Sequence, residues 1–160
     1  MQLNHHYHAN IFVGVNPRTV AGMSTKAGVS VVRSLWLDLD RTTASESLRG
    51  FEECQLPPPS IVVNSGNGVH AYWLLDQPFV ITDENRQRVM ALLSDWVGFV
   101  GADRGVCDLP RVLRVPGTRN LKAKYAPDYP LVEFVKNDMS LLYAIDELAA
   151  LIPKPEPKSV

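Results

Sequence analysis

Ser60-Ile61-Val62-Val63-Asn64-Ser65-Gly66-Asn67-Gly68-Val69-His70-Ala71-Tyr72-Trp73-Leu74-Leu75 is the stretch whose reading decides the fold. Two strand-like runs, Ser60 to Asn64 and Val69 to Leu75, flank Ser65-Gly66-Asn67-Gly68. Both glycines can adopt positive φ, so the segment reads as a β-hairpin. On the N-terminal side, Val29 to Asp40 predicts a longer strand, apolar on both faces near its end as a buried central strand would be. Thr43 to Cys54 predicts a helix that Pro57-Pro58-Pro59 stops, and Ala9 to Val15 a first strand turned by Asn16-Pro17. On the C-terminal side, Thr82 caps a helix from Asp83 to Val100. Its Val89, Leu92, Leu93, Trp96, Val97 and Val100 fall on one face. Leu131 to Val135 predicts a strand, and Leu142, Ile145, Leu148 and Ile152 a final helix. Hairpins within the order β-β-α-β-β-α-loop-β-α argue for an α+β fold rather than a doubly wound parallel sheet.

The chain has 160 residues, of which 46% are hydrophobic, enough for one domain with a sizeable core and too apolar for disorder. No apolar run reaches about 18 residues, which excludes a transmembrane helix. Met1 to His8 has no basic segment followed by an apolar one, so it is no secretory signal. Cys54 and Cys107 form no ladder or CxxC pair, which argues against a disulfide scaffold or zinc ribbon and places the chain in a reducing cytoplasm. The alternating prolines from Pro153 to Lys158 make residues 153–160 a solvated linker or tail behind a domain of residues 1–152.

The net charge of −1 lacks the basic excess of most nucleic-acid binders. Its distribution says more. Between Arg111 and Lys124 lie five cations and no acid, namely Arg111, Arg114, Arg119, Lys122 and Lys124, around a Pro116-Gly117-Thr118 turn. Such a cluster suits phosphate oxygens. In Leu35-Trp36-Leu37-Asp38-Leu39-Asp40, strand alternation puts Asp38 and Asp40 on one face, about 6.5–7 Å apart. Two such carboxylates repel unless a cation lies between them, and Mg²⁺ takes one or two carboxylates plus substrate phosphates. In the hairpin, Gly66 and Gly68 let backbone approach a ligand, with Ser65 and His70 beside them. Asp103 and Asp108 precede the basic segment. His6-Tyr7-His8 would put two imidazoles on one strand face.

The order and spacing of these pieces resemble the archaeo-eukaryotic primase superfamily, most closely RepB-like plasmid and phage primases and primase-polymerases. The resemblance runs from about Asn10 to Pro153 and is most specific in Arg111-Val112-Leu113-Arg114-Val115-Pro116-Gly117-Thr118-Arg119-Asn120-Leu121-Lys122. It implies an RRM-like mixed or antiparallel sheet flanked by helices. Asp38, Asp40 and Asp103 would be the metal-binding catalytic carboxylates for Mg²⁺ or Mn²⁺, with Asp108 the alternative third acid. His70, helped by Ser65, would contact the incoming nucleotide's phosphates beside Gly66 and Gly68. Arg111 or Arg114, with Lys122 and Asn120, would hold the triphosphate, and Arg119, Lys122 and Lys124 the nucleic acid. The activity implied is primer synthesis or extension from NTPs or dNTPs on a single-stranded DNA template, alongside a replicative helicase or accessory domain.

Other readings carry their own signatures. A catalytically weak nucleic-acid-binding replication module would keep the basic segment and lose the acids. A rolling-circle replication nuclease would use His6-Tyr7-His8 and a helical tyrosine, for which Tyr143 is the candidate. A sugar-nucleotide transferase using Asp-x-Asp would need a Gly-rich strand-to-helix turn near the N-terminus, and the sequence has none there.

Overall fold

The computed structural model describes residues 3–19, 25–102 and 108–153. Asp103 and Cys107, and the tail from Lys154 onward, lie outside the described residues. The elements are α1 (Leu3–His6), β1 (Phe12–Gly14), β2 (Val31–Asp40), α2 (Ala44–Glu53), β3 (Ile61–Asn64), β4 (Gly68–Val80), α3 (Arg86–Phe99), β5 (Val112–Arg114), β6 (Glu133–Asn137), β7 (Leu142–Tyr143) and α4 (Ile145–Ala150). No helix among them is long and apolar enough to cross a membrane.

The expected hairpin is the centre of a mixed sheet ordered β2-β4-β3-β6, antiparallel throughout, with β7 joining β4 in parallel. The α+β class is therefore borne out. Antiparallel partners share a face, so the β2–β4 register sorts the side chains cleanly. Leu35 pairs Trp73 and Leu37 pairs Ala71 on one face, while Trp36 pairs Tyr72 and Asp38 pairs His70 on the other. The first face carries the core. Trp73 meets Phe51 of α2 and Trp96 of α3 edge-on, at 5.2 and 5.0 Å between ring centres. Its indole N–H donates to the Pro57 carbonyl at 2.7 Å. The second face is met by a two-stranded ribbon, β1 antiparallel to β5, and a cavity between them is lined by Val13, Ile61, Val63, Tyr72 and Arg114. Trp36 and Val63 are buried there, which explains why β2 reads apolar on both sides.

Helix boundaries follow local chemistry. Thr43 caps α2 in a reciprocal box: its hydroxyl accepts from Glu46 N–H at 3.3 Å, and Glu46 Oε2 accepts from Thr43 N–H at 2.8 Å. Gln55, at φ +57°, ends this helix ahead of the three prolines. α3 begins at Arg86, three residues later than the Thr82 cap implied. Thr82 and Asn85 instead exchange side chain–backbone bonds, at 2.9 and 3.3 Å, and form a turn before the helix.

Several other expectations need correction. The first strand is only Phe12–Gly14. The strand expected at Leu131 to Val135 is Glu133–Asn137, because Val132 N–H and C=O are taken by Thr118 and Gly117 of the basic segment. The final helix shrinks to Ile145–Ala150, since Leu142–Tyr143 extend along β4. The His-hydrophobe-His reading fails. His6 closes the one-turn helix α1 and His8 has φ +49°, so they do not lie on a strand. Tyr143 is on a strand, its hydroxyl donating to the Pro58 carbonyl at 2.6 Å.

Candidate active site

Asp38 and Asp40 end β2, an outer strand of the sheet, on the face opposite the tryptophan core. His70 stands directly across on β4, with Nε2 3.6 Å from Asp38 Oδ1, which is too long for a hydrogen bond. The imidazole is only 3% exposed, and among the described residues its Nδ1 has no hydrogen-bond partner. Burial, reinforced by the Arg114 guanidinium and opposed by Asp40, pushes its pKa down to about 4. His70 is therefore neutral at pH 7. Burial also raises the pKa of Asp38, and so does the neighbouring Asp40 carboxylate, against the lowering pull of Arg111, Lys122 and Arg114. Burial thus outweighs these cations in disfavouring the Asp38 carboxylate, and a cation bound directly to it would favour its charged form.

The hairpin turn is shaped for close approach. Gly66 has φ +80°, the expected use of a glycine. Gly68 has a different reason. A Cβ there would lie 2.0 Å from the Leu39 carbonyl oxygen and 2.9 Å from Asp40 Cα, so only glycine lets β4 run against the end of β2. Asn67 Nδ2 then donates to Asp40 Oδ1 at 3.3 Å, a contact the sequence reading missed although Asn67 sits in the motif it quoted.

Asn120 ties this turn to the basic segment. It is buried, Nδ2 donates to the Ser65 carbonyl at 3.3 Å, and Oδ1 accepts from Lys122 N–H at 3.4 Å. Arg114 lies in β5, where its guanidinium covers the Phe12 ring at 4.9 Å and donates to Asn10 Oδ1 at 3.3 Å. Arg111 forms an ion pair with Asp108 at 2.7 Å. Arg119 is turned to the carbonyls of Asp128 and Tyr129, at 3.1 and 2.6 Å, and Lys124 lies over the Tyr125 ring at 4.7 Å.

Two cavities meet at the carboxylates. The smaller, about 240 Å³, is lined by Asp38, Asp40, Ser65, Asn67, His70, Arg111, Arg114, Asn120 and Lys122, with Phe12, Val112 and Leu113. The larger, about 580 Å³, lies on the α2 side between Thr42, Glu46, Glu53 and Cys54 and the segment Val100 to Ala102. Size favours the larger as a binding site, but its described lining holds acids and no cation. The smaller gathers most of the residues singled out in the sequence, and it is the one suited to phosphates. Arg119, Lys124 and Asp108 line neither. Among the described residues no three His, Cys, Asp or Glu side chains gather as a metal-donor set. The two carboxylates by themselves match Mg²⁺, which keeps positions for substrate phosphates and water.

Over 90% of the chain, the backbone superposes on the archaeo-eukaryotic primase domain of the cyanophage S-2L primase-polymerase, with a TM-score of 0.72, 19% identity and 70% of that chain covered. The fold is that of an archaeo-eukaryotic primase domain. Residues 25–98 match the family described as Replicase. A replication protein of Clostridium perfringens is 29% identical over 104 residues, 60% of this chain and 26% of that protein. The chain thus spans about a quarter of the length of that curated relative. The primase RepB′ is 19% identical, with a TM-score of 0.49 over 75% of this chain and 38% of the other.

Proposed function

We propose that the chain is a template-directed nucleotidyltransferase, a primase or primase-polymerase that makes or extends primers from NTPs or dNTPs during replication. The observation that carries this reading is the 240 Å³ cavity in which Asp38 and Asp40 face Arg111, Arg114 and Lys122. The cations take the triphosphate, and their charge stabilises the pyrophosphate as it leaves. Asp38 and Asp40, with Asp103 as the third carboxylate, would hold Mg²⁺ or Mn²⁺, which would bring the attacking 3′-hydroxyl and the α-phosphorus together and neutralise the leaving oxygen. The Arg111–Asp108 ion pair favours Asp103 over Asp108 in that role. His70, buried and neutral, meets a phosphate through a hydrogen bond and not as a cation. Asn120 positions Ser65 and Lys122. The single-stranded template runs along the basic segment by Lys122 and Lys124, with a replicative helicase or accessory protein as a partner.

Primer extension and de novo priming with Mn²⁺, comparing the wild-type chain with Asp38→Ala/Asp40→Ala, tests the proposal. Loss of roughly a hundredfold or more is expected. Full activity in the double variant would overturn it. A wild-type chain that binds single-stranded DNA yet incorporates no nucleotide would mark a binding module instead.

A further inference from the structure

Phe12 opens the rim of the basic cavity, and none of the motifs in the sequence points to it. Among the described residues it is the only Phe, Tyr or Trp lining that cavity, and it is 45% exposed. Exposed apolar side chains are ordinary on a protein surface, and what sets this ring apart is its place on the rim of a cation-lined cavity. One side of the ring is already engaged. The β1–β5 register sets Phe12 opposite Arg114, and the guanidinium lies 4.9 Å from the ring centre. That guanidinium is braced by Asn10 Oδ1 at 3.3 Å, and Asn10 Oδ1 is itself fixed by Leu121 N–H at 2.9 Å. Val112, on the same face of the ribbon, adds exposed apolar surface beside the ring.

The size of the cavity locates what comes next. At about 240 Å³ it falls below the roughly 300–1,000 Å³ of pockets that enclose a drug-sized ligand. Its polar wall is suited to a triphosphate, and a base attached to that triphosphate would extend to the rim, whose aromatic part Phe12 supplies.

We propose that Phe12 is a stacking platform for a nucleobase, held rigid from behind by Arg114. The base is that of the incoming nucleotide or of the template strand. The inference rests on the nucleotidyltransferase reading above and adds to it a residue that reads a base face without reading its identity. Base–aromatic stacking tolerates any sequence, because every base presents a π-face.

Calorimetry in Mn²⁺ with inorganic triphosphate, with dATP and with a single-stranded oligonucleotide carrying 2-aminopurine separates the outcomes. Phe12→Ala is compared with Phe12→Leu, which keeps the bulk, and with Phe12→Tyr, which keeps the ring; thermal melting checks that each is folded. For the incoming base, dATP affinity should fall about fivefold or more in the alanine and leucine variants and return in the tyrosine variant, with inorganic triphosphate unchanged. For the template base, oligonucleotide affinity and 2-aminopurine quenching should fall instead, with dATP unchanged. If dATP and oligonucleotide affinities both stay within about twofold of wild type, stacking is overturned. Equal losses for dATP and inorganic triphosphate overturn it too, since Phe12 would then only be holding Arg114. A wild-type chain that binds neither dATP nor inorganic triphosphate removes the nucleotidyltransferase reading, and the platform with it.

Discussion

His70 and Asp38 face each other across the β2–β4 ladder at 3.6 Å, one an imidazole kept neutral by burial and the other a carboxyl whose pKa burial raises. Each is held away from its charged form by the same dry environment. The arrangement stores an electrostatic cost at the point where the phosphate-sized cavity begins, and a divalent cation with its phosphates would offset it.

That cost has a pH signature in the metal-free protein. The folded His70 titrates at about 4 against an ordinary 6.5. Between those values the unfolded chain binds a proton that the folded chain refuses, so stability falls as pH drops through the window. The full effect is about 3 kcal/mol at 1.36 kcal/mol per pH unit. Asp38 acts in the opposite sense. As pH falls, its raised carboxyl takes up a proton in the folded chain before it does in the unfolded one, which relieves part of the loss. Urea unfolding of chelator-treated protein across this range should show stability rising with pH, and His70→Gln should flatten the slope.

Asp38→Asn should trade function for stability. It keeps the shape and removes a carboxylate disfavoured by burial and by Asp40. A gain of about 1 kcal/mol would raise the melting temperature of the metal-free protein by about 2–4 °C. Nucleotide transfer should be lost in the same variant. Melting curves and primer extension on one preparation would check both, and a lower melting temperature would contradict the electrostatic account.

Gly68→Ala should be the most damaging single-methyl change near the site. Its Cβ would sit 2.0 Å from the Leu39 carbonyl oxygen, which is backbone and cannot swing away. The expected cost is about 3 kcal/mol or more, read as a lower urea midpoint. Gly50→Ala, with nothing within 4 Å of its Cβ, should cost little and serves as the control.

Asn120→Ala should leave the Ser65 carbonyl and the Lys122 N–H without their buried partner. Roughly 1–3 kcal/mol of stability should be lost. Because the amide holds the turn and Lys122 in place and spends both ends on protein, KM for the nucleotide should rise more than kcat falls. Steady-state extension kinetics measure the split.

The site was unevenly legible in the sequence. Asp38, Asp40, Ser65, His70, Arg111, Arg114 and Lys122 stand out in the residue pattern and Asn120 through the family resemblance, and the structure brings all eight to one cavity. Period-two alternation marks Asp38 and Asp40, and glycine-rich turn chemistry marks Ser65 and His70, because both act over a few residues. Arg119 and Lys124 looked equivalent to Lys122 in the charge run. They separate only when Arg119 meets carbonyls nine and ten residues on and Lys124 meets a tyrosine ring. Phe12 gave no signal, since Ile11-Phe12-Val13 reads like any short strand. Its importance comes from pairing with a strand about a hundred residues away.

By itself the sequence determined the hairpin, the capped helix after Thr43, the α+β class and the chemistry of the carboxylates and cations. Those properties follow from propensity, spacing and side-chain type within short windows. Tertiary structure alone decided which cations face the carboxylates, that His70 is neutral, and that Phe12 rests on Arg114. Each of these depends on burial or on a partner distant in the chain. Dielectric surroundings and long-range strand pairing arise only when the β1–β5 ribbon closes over the sheet.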